Sequence, residues 1–475
     1  MARSQIEYRP GLMADMYHPD SAYVSWRAGL NGMTTFDLYA RRAPFGGTYL
    51  LVAGLEQALE FVRDFRFSDH DLEFLGQIRD YDPAFLDELR SLRFTGEILA
   101  MPEGEIAFPG EPLLRVTAPF REALLLESGL LQAVNLATLI ATKASRVVHA
   151  AQGRPVSEFA LRRAQEPYVV TRSARIGGCW STSFLAAAEH YRLLASGTVP
   201  HALIQLFADE RDAFAAIAET FNRYTLLLDT YDVRHAIHRA VEVARRYRES
   251  HGHYLAGIRL DSGDLAADSA FVRSVLDEAG LKEVRILASG DLDEFRIAEL
   301  LEADAPIDGF GIGTSIGVGA GSLEHDVEGG ALGGVYKQVA YVGEDGTTHP
   351  KVKVAGDKST WPGKKEVYRI GEFVEDVIQL AGEPRPADDA ERLLKPVVRD
   401  GQILSGSLPP LSEIWELARR NLARLPARHQ LLSEPEPYPV RMSDALRALK
   451  DGAVAAHERA AADRVSAASA SPSAS

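Results

Sequence analysis

The sequence predicts an α/β fold in which a parallel α/β barrel carries an attached α/β domain that is partly antiparallel. From about residue 155, short apolar runs alternate with amphipathic helices at roughly twenty- to thirty-residue intervals, which indicates parallel strands joined by right-handed crossovers. Six or seven such units favour a closed barrel, although an open sheet is not excluded. Before residue 120, apolar runs are broken by Pro and Gly, as in an antiparallel meander.

Four segments follow from these patterns. We assign residues 1–150 to the N-terminal α/β domain, which ends in a long connecting helix, and residues 151–330 to the barrel and its active site. Strands within 331–400 are expected to return to the first domain, and residues 401–460 to form a helical C-terminal segment. Residues 461–475 are small and polar, which predicts a disordered tail.

Composition narrows the function classes. The 475 residues are 46% hydrophobic, enough for a large core, and carry a net charge of −15 without a basic block, which argues against nucleic-acid binding. The single cysteine, Cys179, permits neither an internal disulfide nor a cysteine zinc site. Without a run of eighteen apolar residues or a signal-like segment, a cytoplasmic protein without a membrane partner is expected.

A charged pair stands where one apolar strand ends, in "GIRLDSGDL" at residues 257–265. Arg259 and Asp261 share one face of this strand, and Ile258 and Leu260 share the other. Charges at the carboxyl end of a barrel strand point to the open mouth, because a pair in the middle of the barrel would be costly to desolvate. Taken alone, the motif is explained slightly better by a structural Arg–Asp pair that anchors a loop.

Glycine-containing turns follow the next two strands, each just before a helix. Glycine lets backbone N–H groups approach a ligand closely, and a helix N-terminus adds partial positive charge. Two consecutive turns of this kind predict a phosphate cradle. Its candidate residues are Ser289, Gly290 and Asp291 in the first turn and Gly311, Gly313 and Thr314 in the second.

Two further stretches give weaker signals. In "SEFALRRAQ", Glu158, Ala160 and Arg162 share one face and Phe159 lies on the other, and a solvated strand end explains this as well as a function does. His201 follows a Gly-Thr-Val-Pro loop and adjoins the predicted barrel. A lone histidine is usually structural, but histidine can also act as an acid, a base or a nucleophile at neutral pH.

Together these stretches resemble the nicotinate phosphoribosyltransferase family over roughly residues 10 to 370, in the branch with a GTVPHAL-type histidine motif. The matching segments are "RRAPFGGTYLLVAGLEQAL", "EFALRRAQ", "GTVPH", "GIRLDSGDL", "ASGDLDEF", "IDGFGIGT", "GGVYKQV" and "PGKKEVYR". The resemblance implies an irregular α/β barrel and a reaction in which nicotinate attacks C1 of phosphoribosyl pyrophosphate (PRPP). Pyrophosphate leaves and nicotinate mononucleotide forms, in NAD salvage.

The resemblance also implies partners and cofactors. ATP would be a co-substrate whose hydrolysis is coupled through a phosphohistidine, as in an ATP-dependent C–N ligase, and Mg²⁺ would be required. The subunits would form a homodimer with shared active sites. Two alternatives stay open: a quinolinate phosphoribosyltransferase, which shares the fold but needs no ATP, and a non-catalytic PRPP-binding protein.

Residue roles carry over position by position. Arg259 would hold the nicotinate carboxylate, whereas Asp261 would bind the ribose hydroxyls and Asp264 would place ribose or Mg²⁺. His201 falls on the phosphorylated histidine. The nicotinate pocket would be completed by Tyr17 from the neighbouring subunit, Phe159 stacked on the ring, Arg162 and Ser183, and the cradle at 289–291 and 311–314 would hold the 5′-phosphate.

Two of these assignments depend on local detail. Alternation along the strand turns Phe159 away from the Arg162 face, which conflicts with stacking unless the strand twists or ends there. Ser183 stands where the related nicotinamide enzyme has an acid. Because a carboxylate there would repel nicotinate and a hydroxyl would not, Ser183 favours the acid over the amide as substrate.

Overall fold

A computed structural model describes residues 8–354 and 360–470, with side chains as far as residue 459. The helices in chain order are α1 (Tyr17–Arg27), α2 (Leu55–Asp64), α3 (Asp69–Ile78), α4 (Pro83–Ser91), α5 (Phe120–Leu125), α6 (Glu127–Ala150), α7 (Pro167–Ile176), α8 (Leu185–Tyr191), α9 (His201–Gln205), α10 (Glu210–Thr220), α11 (Val233–His251), α12 (Leu265–Glu278), α13 (Glu294–Glu302), α14 (Thr314–Gly317), α15 (Leu411–Arg424) and α16 (Asp444–Ala470).

The strands in chain order are β1 (Met33–Ala40), β2 (Leu50–Leu51), β3 (Glu97–Ala100), β4 (Ile106–Ala107), β5 (Leu114–Pro119), β6 (Val156–Glu158), β7 (Ser181–Thr182), β8 (Leu194–Ala195), β9 (Arg223–Leu227), β10 (Tyr254–Leu260), β11 (Arg285–Ser289), β12 (Gly309–Ile312), β13 (Gly334–Val342), β14 (Thr348–Pro350), β15 (Lys365–Ile370), β16 (Glu375–Leu380), β17 (Glu391–Arg392), β18 (Lys395–Arg399), β19 (Gln402–Ile403) and β20 (Val440–Met442). Among the described residues, no helix is both long and apolar enough to cross a bilayer.

An antiparallel sheet organises the N-terminal domain, in the order β14-β13-β1-β5-β3-β18-β19. Strand β13 pairs along β1 from Thr34 opposite Tyr341 to Ala40 opposite Gly334, so the chain returns to this domain after the barrel. The predicted segment boundary at residue 331 therefore lies just before a strand that completes the first sheet.

Strand β15, the "KEVYRI" segment that the sequence assigned to the first domain, lies in a small separate sheet, and its Val367 packs in the core of that domain. Strand β15 pairs with β16, the next strand in the chain, and the sheet order is β17-β15-β16-β20. A tight hairpin explains this, because consecutive strands joined by a short turn usually pair with each other. The outer strand β20 comes from residues 401–460, a segment that was expected to be mostly helical.

The barrel sheet is parallel throughout and has the order β8-β7-β6-β12-β11-β10-β9. The predicted fold class, a parallel α/β barrel with an attached α/β domain, is confirmed. Among the described residues no ladder joins β8 to β9, so the barrel is open on that side rather than closed. Strands β7 and β8 have two residues each and offer few groups for pairing.

Helix α6 connects the two halves, as its apolar spacing predicts. Its N-terminal half contributes Leu130 and Val134 to the core of the N-terminal domain, and its C-terminal half contributes Ile140 and Val147 to the barrel core. One 24-residue helix thus fixes the barrel against the antiparallel sheet.

The C-terminal helix extends beyond its predicted end. The backbone of α16 continues to Ala470, so residues 461–470, expected to be a disordered tail, are helical, and residues 471–475 lie outside the described part. Alanine is the strongest helix former, and this stretch is alanine-rich.

Candidate active site

A cavity of about 590 Å³ occupies the barrel interior. Parallel α/β barrels are usually filled by branched side chains at this depth. Here the lining positions include small residues instead, among them Ser157, Ser181, Thr225, Gly257 and Gly311. Four of the site residues predicted from the sequence border this cavity: Phe159, Arg259, Ser289 and Gly311.

The Arg259 guanidinium is fixed by three protein groups at one edge of the cavity. Its Nε donates to Ser289 Oγ at 2.7 Å, Nη1 donates to Thr198 Oγ1 at 2.9 Å, and Nη2 donates to Asp261 Oδ1 at 2.5 Å. A guanidinium has five N–H groups, so two of them stay available to a ligand. The side chain is 17% exposed, which leaves it reachable from the cavity.

Asp261 is an ionised acceptor in this network. Ser289 Oγ donates to its Oδ1 at 2.5 Å, and its own backbone N–H donates to Asp229 Oδ2 at 3.1 Å. Partial burial acts to raise the pKa of Asp261, but the hydrogen bond from Ser289 and the charge of Arg259 outweigh it, and the net pKa lies below the usual value. The carboxylate therefore carries its charge at neutral pH.

His201 opens helix α9 beside the same carboxylate. Its Nε2 lies 3.7 Å from Asp261 Oδ2, and its Nδ1 lies 3.1 Å from Thr230 Oγ1. The imidazole is 38% exposed, so a reactant can reach it. Asp261 thus lies between His201 and Arg259, two residues that the sequence analysis expected to find in one site.

Phe159 lies against the cavity because strand β6 ends one residue before it. The alternation argument that turned it away was therefore wrong at this position. Its ring covers Gly311, where an added Cβ would lie 2.4 Å from Phe159 Cε2. The preceding Glu158 is buried and accepts from Thr171 Oγ1 at 2.9 Å and Thr182 Oγ1 at 2.5 Å, so it anchors this turn.

Ser183 stands at the end of β7, next to the Phe159 turn. Its backbone N–H donates to the Glu158 carbonyl at 3.0 Å. The backbone of Ser183 is therefore fixed beside the residue that precedes Phe159, although Ser183 does not itself border the cavity.

The first predicted phosphate turn is tightly packed. Gly290 has a φ of +87°, and a Cβ there would lie 1.7 Å from the Asp261 carbonyl oxygen, so only glycine fits. Helix α13 follows this turn and is anchored by Glu294, whose carboxylate pairs with Lys143 at 2.5 Å and Arg146 at 3.0 Å. Lys143 and Arg146 belong to helix α6, so these buried ion pairs fix the position of the turn relative to α6.

In the second turn Gly311 borders the cavity, whereas Gly313, Thr314 and the remaining candidates lie outside its lining. Gly313 precedes the short helix α14, which begins at Thr314, and Asp291 is exposed after Gly290. Arg162 is exposed in the turn after β6, because the strand is shorter than "SEFALRR" suggested. Asp264 caps helix α12 by accepting from Ala267 N at 3.1 Å.

Tyr17 lies at the start of α1, away from the barrel cavity of its own chain. Its side chain is 51% exposed, and its ring packs 4.0 Å from that of His18. Partial burial and the nearby Glu127 carboxylate raise the pKa of Tyr17 to about 12, so it stays protonated.

The sequence interpretation missed Thr198, Asp229 and Thr230. Thr198 accepts from Arg259, Asp229 accepts from the Asp261 backbone and from Ser262 Oγ at 2.6 Å, and Thr230 contacts His201. A signal was present, because "YTLLLDT" ends in polar residues after an apolar run just as "GIRLD" does.

The described residues contain no group of three or more His, Cys, Asp or Glu side chains arranged to hold a metal ion. One buried atom nevertheless fits a cation: Asp229 Oδ1 has no hydrogen-bond partner in the described part of the chain. Mg²⁺ commonly binds through one or two carboxylates together with substrate phosphates, so the donor set suits a metal that arrives with its substrate.

Comparison with known proteins is consistent with this geometry. Family profiles described as the nicotinate phosphoribosyltransferase (NAPRTase) N-terminal and C-terminal domains match residues 12–135 and 387–450. Nicotinate phosphoribosyltransferase pncB2 of Mycobacterium tuberculosis is 37% identical over 440 residues, covering 91% of both chains. The Bacillus subtilis nicotinate phosphoribosyltransferase is 37% identical over 464 residues, covering 91% of this chain and 93% of that one.

Solved structures agree. The crystal structure of human nicotinic acid phosphoribosyltransferase superposes with a TM-score of 0.81 at 31% identity, over 93% of this chain and 100% of that one. The nicotinate-nucleotide pyrophosphorylase from Pyrococcus furiosus has a TM-score of 0.71 at 24% identity, covering 89% of this chain and 99% of that one, which supports the fold alone.

Fold and relatives together define a phosphoribosyltransferase-class enzyme built on an α/β barrel. Within that class, the chain belongs to the nicotinate phosphoribosyltransferase family.

Proposed function

We propose that the chain transfers the phosphoribosyl group of PRPP to nicotinate, forming nicotinate mononucleotide and pyrophosphate in NAD salvage. The observation that carries this proposal is the Arg259 guanidinium, held by Asp261, Ser289 and Thr198 at the edge of a hollow barrel with two N–H groups left over. That arrangement suits a small planar carboxylate.

Nicotinate would bind between Arg259 and Phe159. Its carboxylate accepts from the two remaining N–H groups, and its ring lies against the phenyl ring that covers Gly311. Ser183 offers a hydroxyl rather than a second carboxylate, so it does not repel the substrate. Arg162, in the exposed turn beside Phe159, adds positive charge at the rim.

Asp261 supports the transfer step itself. The pyridine nitrogen forms a bond to C1 of the ribose while the C1–O bond to pyrophosphate breaks, and the leaving group takes the electron pair. Positive charge develops on the ribose ring in this step. The ionised Asp261 carboxylate binds the ribose hydroxyls and stabilises that charge.

The two glycine turns at 289–291 and 311–314 would bind the 5′-phosphate through backbone N–H groups. Asp229 and Asp264 are the carboxylates that would hold Mg²⁺, which would supply positive charge to the pyrophosphate oxygens. Asp229 has the free buried oxygen for this role.

His201 would couple ATP hydrolysis to the reaction. With Nδ1 bonded to Thr230 as a donor, the Nε2 lone pair attacks the γ-phosphorus of ATP, a P–N bond forms and the P–O bond to ADP breaks. ADP leaves with the electron pair, and water later cleaves the P–N bond to release phosphate. Such coupling would put the enzyme in the ATP-dependent ligase class.

The active enzyme would be a homodimer with shared active sites. Tyr17 supports this because it is exposed and lies away from the cavity of its own chain, as an aromatic residue offered to a neighbouring subunit would be. Gel filtration with light scattering, together with Tyr17→Ala kinetics, tests the arrangement.

A pyrophosphate-release assay separates this proposal from its alternatives. Nicotinate, nicotinamide and quinolinate are each supplied with PRPP and Mg²⁺, with and without ATP. We expect rapid release with nicotinate, stimulated by ATP, and little with the other two. Release with quinolinate alone would identify the quinolinate enzyme, and PRPP binding without any release would identify a non-catalytic protein.

His201→Ala tests the ATP step. We expect ATP-stimulated turnover to disappear while slower PRPP-driven turnover remains, measured as initial rates of pyrophosphate release. His235→Ala is the matched control, because His235 is an exposed histidine on helix α11 whose side chain is 80% exposed. Stimulation that survives in His201→Ala would rule out a phosphohistidine at this position.

A further inference from the structure

Two of the three groups that fix the Arg259 guanidinium are also connected to His201. Asp261 contacts both side chains, through Oδ1 to Arg259 Nη2 at 2.5 Å and through Oδ2 to His201 Nε2 at 3.7 Å. Thr198 accepts from Arg259 Nη1 at 2.9 Å and precedes His201 by three residues in the same loop. The third group, Ser289, comes from β11, and within the described part of the chain its hydroxyl reaches this loop only through Arg259 and Asp261.

The loop at residues 196–200 joins β8 to helix α9 on the open side of the barrel. Since no ladder joins β8 to β9 among the described strands, sheet pairing does not hold this segment from both sides. Its backbone is fixed to the barrel at Ser196, whose N–H donates to the Thr182 carbonyl at 2.9 Å. A displacement at His201 can therefore reach Thr198 through three residues of chain.

Phosphorylation of His201 would load this loop with charge. A phosphoryl group on Nε2 would stand beside the ionised Asp261 carboxylate, and like charges at that distance repel each other. The Asp261 carboxylate is held by Arg259 and Ser289, whereas the His201 side chain forms one hydrogen bond with the described residues, to Thr230. The start of α9 is therefore the side that yields.

We propose that Thr198 is a positioning residue that transmits the phosphorylation state of His201 to the nicotinate-binding guanidinium of Arg259. This inference rests on the phosphohistidine proposed above. When the start of α9 moves, the Thr198 hydroxyl moves with it, and the Nη1 group of Arg259 either keeps or loses its protein acceptor. That acceptor decides how many N–H groups of Arg259 are open to the nicotinate carboxylate and where they point.

Thr198 is a good position for a test because its contact is a single one. Its hydroxyl makes one hydrogen bond within the described part of the chain, to Arg259. Thr198→Val keeps the branched shape and removes the acceptor, and Thr198→Ser keeps the acceptor and removes the methyl group. Thr347→Val is the matched control, since it makes the same substitution at an exposed threonine between β13 and β14 that does not border the cavity and whose hydroxyl donates to Asp345 Oδ2 at 2.9 Å.

The experiment measures phosphorylation and substrate affinity separately on the full chain. Acid-labile label from ATP labelled at the γ-phosphate reports the phosphohistidine, and steady-state kinetics gives the nicotinate KM and kcat with and without ATP. We expect ATP to lower the nicotinate KM of the wild type by about tenfold, a coupling of typical size for linked sites. Thr198→Val should take up label normally and show less than about a twofold fall in KM, whereas Thr198→Ser and Thr347→Val should behave as the wild type does.

The outcomes distinguish this inference from the function on which it rests. If the wild type takes up no label, the phosphohistidine proposal is wrong and the Thr198 inference fails with it. If Thr198→Val is labelled and still shows the full ATP-dependent fall in KM, ATP coupling stands and Thr198 alone is wrong. A fall in KM that is lost in Thr198→Val and restored in Thr198→Ser supports the inference, because a merely structural role would change KM equally with and without ATP.

Discussion

Two arginine–aspartate pairs in this molecule have the same chemistry but different surroundings. Arg259 and Asp261 meet at the edge of the barrel cavity, whereas Arg369 and Asp376 meet beneath the small C-terminal sheet. Arg369 Nε and Nη2 donate to the two Asp376 oxygens at 3.0 and 2.7 Å, and its other donors reach Glu105 Oε1 and the Ile106 carbonyl, each at 2.6 Å.

The two pairs differ in how many arginine N–H groups stay available to a ligand. The Arg369 side chain is 6% exposed and faces two carboxylates, so its donors serve the fold. The Arg259 side chain is 17% exposed, faces one carboxylate and two hydroxyls, and borders a cavity. An Arg–Asp pair is therefore available to a ligand only when the protein leaves some of the arginine donors unused next to open space.

The largest effect should come from Arg369→Met. Removing the guanidinium leaves Asp376 and Glu105 buried without their counter-charge, and breaking one side of a buried pair typically costs about 3–5 kcal/mol. We expect the free energy of unfolding in urea to fall by about that amount. Arg63→Met, at an exposed pair with Asp64, is the control and should leave the midpoint where it is. A loss under about 1 kcal/mol in Arg369→Met would remove the distinction between the two pairs.

Arg259→Met should give the opposite profile. The nicotinate KM should rise by about 10- to 150-fold, because a charge-assisted contact of about 1.5–3 kcal/mol is deleted. The PRPP KM should change far less, and the unfolding free energy by less than about 1 kcal/mol. Steady-state kinetics and urea unfolding on the same preparation check both. Arg259→Lys, which keeps the charge without the planar fork, should recover little of the nicotinate affinity. An unchanged nicotinate KM would reject the assignment of Arg259.

The buried network around Arg369 and Asp376 includes Glu111, which should make the stability of the protein depend on pH. Burial first, and then the Asp376 charge, hold the pKa of Glu111 well above its usual value. A folded-state pKa that is raised means that the native protein keeps a proton which the unfolded chain loses above about pH 4.3, so stability falls as the pH rises from there. Glu111→Gln imitates the protonated acid: its carbonyl accepts from Phe108 N, as Oε2 does at 2.8 Å.

We therefore expect the stability of Glu111→Gln relative to the wild type to increase from pH 5 to pH 8, by less than about 1.4 kcal/mol per pH unit. Thermal unfolding across that range measures it. A difference that is constant with pH would mean that Glu111 ionises normally in the folded protein.

Much of the fold and part of the site could be predicted from the sequence. Strand and helix periods identified the barrel and α6, and polar residues after apolar runs identified Arg259, Asp261 and Ser289 as one rim. These signals are local, because a strand that ends at a mouth must change from apolar to polar within a few residues. The resemblance to a known family then supplied His201, which no period or spacing distinguishes.

The rest depends on contacts between distant segments. No local sequence signal shows that "KEVYRI" pairs with β16 rather than joining the N-terminal sheet. No local signal distinguishes Arg369 from Arg259 either. Phe159 faced the cavity because β6 ends at Glu158, where three donors from α7, β7 and the following turn hold that carboxylate. Strand ends set by such tertiary bonds are invisible to alternation along one strand.

The smallest effect should come from Ser289→Ala, which removes one hydroxyl between Arg259 and Asp261. Burial alone would raise the pKa of Asp261, and the Ser289 hydrogen bond is the first of the contacts that hold it low. Without that bond the carboxylate takes up a proton at a higher pH. Because the proposed mechanism requires the ionised form of Asp261 to stabilise the ribose, the acid limb of the kcat/KM profile should move to higher pH.

A hydrogen bond of about 0.5–1.5 kcal/mol corresponds to a loss of about 2- to 10-fold in kcat/KM. The full pH profile separates this cause from simple damage, since lost positioning lowers the whole curve without moving its acid limb. Ser262→Ala is the matched control, because Ser262 donates to Asp229 and not to Asp261, so its limb should stay in place. If the acid limb of Ser289→Ala stays in place as well, Asp261 owes its ionisation to Arg259 alone. The Arg259–Asp261 pair would then be held by charge in the same way as the buried Arg369–Asp376 pair.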